Sequence, residues 1–147
     1  MSLHPRHPGG GAVARLEELP PLERRVIRCL RLWCSGPEGH RSVRWEIARN
    51  TSGDAADQLS RSFGELLQLT AAHARRPLLG HALDCPCAGS DECVFARFVA
   101  LAAEGAREEA VLIASLIIRA DVALCLTTIA EALGLGLMRG QEPRITD

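Results

Sequence analysis

The sequence predicts an all-α protein: a compact bundle of five or six short helices with an irregular, cysteine-bearing loop at about residues 78–92. Three observations carry this. Apolar residues recur at helical spacing in several segments, with Pro and Gly between them. Aromatic residues make up only 3% of the chain and Tyr is absent, so the core must be built from Leu, Ile, Val and Ala, which suits helix packing. The chain has 147 residues, enough for one domain whose core needs neither disulfide nor metal to exist.

The domain is expected over residues 13–138, between a Pro- and Gly-rich tail (1–12) and a loose polar tail (139–147). The first helix should run from Pro21 to Cys34. Pro21 suits the first helical position, Leu19, Leu22, Val26, Leu30 and Trp33 share one face, and Ser35-Gly36-Pro37 ends it. Residues 43–50 read two ways. Val43, Trp45 and Ile47 alternate as in a strand, yet Val43 and Ile47 are also one helical turn apart; with no evident pairing partner, a short helix is the better reading.

A long helix should follow from Asp54, as N-cap, to about Arg75, burying Leu59, Phe63, Leu66, Leu67 and Thr70, with His73 on the same face and Pro77 stopping it. After the irregular loop, Ser90 is expected to cap a helix over Asp91–Glu104, ended by Gly105. The next, Arg107–Arg119, is apolar nearly all round, which places it centrally or at a homodimer interface. The last should span Val122–Leu133, capped by Asp121 and closed by Gly134.

All 17 basic residues are Arg, acids and bases are interleaved, and the formal net charge is −1, so no basic stripe for nucleic acid is expected. Leu126–Leu137 opens like a helix-turn-helix, but no basic second helix follows it. DNA binding therefore ranks last among the readings. No continuous apolar run of membrane-spanning length occurs, and the N-terminal residues lack a secretory apolar segment, so the expected setting is cytoplasmic with no membrane partner. No phosphate-binding glycine loop, H-E-x-x-H or G-x-S-x-G is present, which leans against an enzyme.

The chemistry concentrates in one segment. His81, Cys85, Cys87 and Cys93 form H-x3-C-x-C-x5-C, four soft donors within thirteen residues. Zinc needs four such donors in a tetrahedron, so a structural Cys3His zinc site is expected, and with it a non-enzymatic binding or regulatory role for a protein partner or a second copy of the chain. Cys93, in the first turn of a helix, should have its thiolate favoured by the helix dipole. The alternative is thiol redox chemistry or sensing by Cys85, Cys87 and Cys93. His73 is a substitute ligand, more simply read as a residue at a helix C-terminus. Asp84 and Asp91 read as exposed acids. Cys29, Cys34 and Cys125 read as core or partly buried thiols, and His40, His4 and His7 as surface residues.

Overall fold

The computed structural model describes residues 11–139. The expected tails over 1–10 and 140–147, with His4 and His7, lie outside the described residues. In chain order the elements are strand β1 (Ala12–Arg15), a 3-10 turn (Leu16–Glu18), helices α1 (Pro21–Cys34), α2 (Gly39–Ala48) and α3 (Gly53–Ala72), strand β2 (Cys87–Gly89), and helices α4 (Ser90–Ala103), α5 (Arg107–Ala114) and α6 (Ala120–Arg139). All six helices contribute to one apolar cluster.

The cluster is organised around α4. Phe95, Ala96, Phe98, Val99, Ala100, Leu101 and Ala102 are all buried, so this helix is covered on nearly every side, with α1, α5 and α6 packed against it. The central helix is therefore α4 and not the segment after Arg107. Phe63 of α3 connects the two sides of the core. Its ring meets Trp33 and Phe95 edge-on, with centroids 6.2 Å and 6.4 Å away.

The helical reading of residues 43–50 holds: α2 buries Val43 and Ile47 and leaves Trp45 72% exposed. A strand would have put all three on one face. The stripe Phe63, Leu66, Leu67 and Thr70 is buried as its spacing predicts, although Ser52 and not Asp54 occupies the N-cap of α3.

Several boundaries differ for identifiable reasons. The helix at 107 ends at Ala114 and not Arg119. The Ser115 hydroxyl donates to the Val111 carbonyl at 2.7 Å, and the next carbonyls are taken by the chain leaving α3. Arg75 donates from its backbone to Ile117 at 2.9 Å and from its guanidinium to Ser115 at 2.8 Å. On the other side of α5, Leu112 stays 70% exposed and Leu116, in the turn beyond it, 66% exposed. Ser90 is the first residue of α4 and not its cap, which is Gly89. The last helix runs through Gly134 to Arg139, and both Gly134 and Gly136 are buried at crossings with neighbouring helices.

Among the described residues α6 is long and apolar enough, by length and composition, to cross a membrane, although polar residues interrupt its apolar run. Here Leu126, Ala130, Leu133 and Leu137 face the core. The two strands are an addition. Residue 12, expected in a tail, begins β1, and β1 pairs antiparallel with β2, Arg15 opposite Cys87 and Ala14 opposite Ala88. The Leu16 N–H donates to Pro86 at 2.8 Å and the Ser90 N–H to Gly11 at 3.1 Å, extending the attachment at both ends.

Candidate functional site: a clamped cysteine loop

The chain from Arg76 to Gly89 contains little regular structure, yet two buried acids of α4 hold it in place. Glu92 is fully buried and accepts the Gly89 N–H at 3.0 Å, which satisfies one of the orphan donors at the helix start. It also pairs with Arg31, whose side chain reaches across from α1: Nε to Oε2 at 2.7 Å and Nη2 to Oε1 at 3.0 Å, with neither side chain exposed. The remaining Arg31 donors go to the loop backbone. Nη1 donates to Cys85 at 2.7 Å and Leu83 at 3.4 Å, and Nη2 to Cys87 at 2.8 Å. One guanidinium thus fixes three carbonyls of the cysteine loop through the planar fork that only Arg provides.

Asp91, the second acid, was expected on the surface. It is buried instead. Arg76 binds its two oxygens at 2.9 Å each, and the Leu79 N–H donates to it at 2.9 Å. The hydrogen bond to Asp91 raises the Arg76 pKa further above its ordinary value. Asp84 is exposed as expected.

The clamp places the four predicted ligands differently from one another. His81 is buried, and its Nδ1 lies 3.4 Å from the Cys85 sulfur, so this histidine and this cysteine do meet. Cys87 lies on β2 and Cys93 on α4, both half-buried. Among the described residues no three His, Cys, Asp or Glu side chains gather around a point where a metal ion could sit. Two donors in contact fall short of the four that a structural zinc requires, so the donor set as folded does not fit a Cys3His centre. The thiol of Cys93 also departs from expectation. Burial pushes its pKa up, and the neighbouring carboxylates of Glu92 and Glu23 add to this, against a smaller opposing effect from Arg31. The helix dipole does not prevail there.

The other singled-out residues resolve into structural roles. His73 ends α3, its N–H bonded to Leu69 and its carbonyl accepting the Arg119 N–H at 3.3 Å. His40 is exposed and stacks on Trp33, ring centroids 3.5 Å apart. Of the three cysteines expected to be core or partly buried, Cys29 is buried, and burial lifts its pKa to about 12. Cys34 and Cys125 are exposed. Cys34 falls at the last residue of α1, and Cys125 lies next to the exposed Leu124 on the outer side of α6.

Sequence reasoning found the cysteines but missed their clamp. Arg31 in the last turn of α1 and Glu92 in the first turn of α4 each suit the dipole of their own helix, so neither stands out in the sequence. No family model matches this sequence, and neither does any curated protein or solved structure.

Proposed function

We propose that the chain is a thiol protein whose working group is Cys85, assisted by His81, with Cys87 as a second sulfur, acting as a redox-responsive or sensing site. The observation that carries this is the 3.4 Å contact between Cys85 Sγ and His81 Nδ1 on a loop whose backbone is fixed by Arg31. An imidazole at that distance can take the thiol proton, and the thiolate it leaves is the nucleophilic form of cysteine. Attack of that thiolate on hydrogen peroxide would break the O–O bond, transferring one oxygen to Cys85 as a sulfenic acid while the other leaves as hydroxide and is protonated to water. The Cys87 thiol would then displace a second water from sulfur, forming a disulfide; two electrons pass from the thiols to the peroxide. Zinc binding would need Cys87 and Cys93 to move toward the His81–Cys85 pair.

Iodoacetamide labelling of the folded protein, read by peptide mass, tests the proposal. Cys85 should react faster than exposed, unassisted Cys125, and His81→Gln should slow Cys85 about tenfold while leaving Cys125 unchanged. Buried Cys29 should label only on unfolding. Peroxide should then link Cys85 to Cys87. A Cys85 rate no greater than that of Cys125 sinks the reading, and stoichiometric zinc in protein purified without added metal would return it to the metal site.

The exposed Leu112 and Leu116, with Leu124 61% exposed on α6, favour one further role, self-association through α5. Native mass should then show a dimer that Leu112→Glu converts to monomer. A monomeric wild-type chain at the same concentration refutes this.

A further inference from the structure

A second feature lies on the other side of Arg31. Arg24 and Arg28, one turn apart on the exposed side of α1, meet Arg49 at the end of α2. With Glu46, Pro21 and Leu83 they line an open groove of about 410 Å³. The charges within it do not balance. Glu46 serves two guanidiniums with one oxygen: Oε2 is 3.2 Å from Arg28 Nε and 3.6 Å from Arg49 Nη1. The Arg24 side chain makes no hydrogen bond or ion pair among the described residues, its backbone N–H alone donating to Pro20 at 3.0 Å.

Two deeper arginines adjoin the groove but are already engaged. Arg25 donates to the carbonyls of Leu137 at 3.0 Å, Ile47 at 3.3 Å and Glu46 at 3.4 Å, at the C-terminal ends of α6 and α2. Arg31 is neutralised by Glu92. Among the described residues, three surface cations therefore face one carboxylate, which leaves two of these charges without a carboxylate partner. This is a local excess, because the whole chain carries a formal net charge of −1.

We propose that this groove binds a small, doubly charged anion of the phosphate monoester class, with the organic part of the ligand lying on Leu83. A monoester near neutral pH carries nearly two negative charges and three strong acceptor oxygens. That matches the two unmatched charges and the guanidinium forks, whereas a single carboxylate would leave one cation uncompensated. The proposal stands apart from the chemistry of Cys85, although Leu83 lies two residues from it.

Calorimetric titration of the full chain with 1-naphthyl phosphate at low ionic strength tests it, with 1-naphthoate as comparison and phosphatidic-acid vesicles as a lipid-borne source of the same headgroup. Saturable one-to-one binding is expected, tighter than for the carboxylate, and weakened about tenfold in Arg24→Gln and again in Arg28→Gln. Arg24→Gln should leave the melting temperature unchanged, since the exposed Arg24 side chain makes no hydrogen bond or ion pair among the described residues and the backbone bond to Pro20 stays. Three results would overturn the proposal: no saturable binding, equal affinity in the variants, or binding to vesicles without binding to the soluble monoester.

Discussion

Replacing Arg31 by methionine should cost about 3–5 kcal/mol of unfolding free energy, far more than breaking an exposed ion pair. The change leaves the Glu92 carboxylate fully buried with only the Gly89 N–H at 3.0 Å to stabilise it. It also strips the donor from the Cys85 and Cys87 carbonyls, which Arg31 holds at 2.7 Å and 2.8 Å. The loss at Glu92 is of the expensive kind, in which a buried polar group stays while its partner goes, and the half-buried carbonyls add a smaller cost. The exposed pairs give the contrast. Arg119–Asp121, at 2.7 Å, lies in solvent and should contribute little.

Urea unfolding measures the cost, and amide exchange over residues 79–89 reports whether the loop opens first. The double variant Arg31→Met, Glu92→Leu removes both charges and should recover much of the loss, because two apolar side chains of similar size need no compensation. A single variant no weaker than a surface-pair variant would mean that the loop is held by something other than this ion pair. The same experiment bears on function, since a loop released from Arg31 no longer keeps Cys85 against His81.

The features legible from sequence were those set by near neighbours along the chain. The bounds of α1 follow from Pro21, the apolar spacing and the Ser35-Gly36-Pro37 stop. Val43 and Ile47 correctly signalled a helix because both lie on its buried side. The features that escaped depend on residues far apart. Strands as short as Ala12–Arg15 and Cys87–Gly89 exist only because each satisfies the other's backbone, and neither has a pattern of its own.

The candidate site divides the same way. His81 and Cys85, four residues apart, meet, whereas nearness in sequence did not bring Cys87 and Cys93 to the same point, since each belongs to a different element of the fold. Arg31 and Glu92 are 61 positions apart. Their charges were consistent with each helix taken alone, so no local rule was violated that would have flagged the pair.

Glycine in α6 shows the same distinction and supports the second large prediction: Gly134→Val should destabilise the protein by about 3 kcal/mol. From sequence, Gly134 reads as a helix terminator, because glycine is favoured just past a helix end. In the fold it lies inside the helix and is buried where α6 crosses α4. A Cβ there would sit 2.7 Å from the Ala103 Cβ, 3.0 Å from the Val99 carbonyl oxygen and 3.2 Å from Val99 Cγ1. One of these is backbone, so the two helices must separate to admit the side chain, and α4 is the most enclosed element in the core.

An alanine at position 134 would by itself favour the helix by up to about 1 kcal/mol over glycine, and valine's branched β-carbon returns part of that gain. The overlap therefore decides the sign. Gly53→Ala is the control: it stands at the first residue of α3 with nothing within 4 Å of the added carbon, so it should be neutral or slightly stabilising. Thermal unfolding should show Gly134→Val melting roughly 6–12 °C below the wild type. Equal melting temperatures for the two variants would mean that α4 and α6 are not in close contact at this glycine.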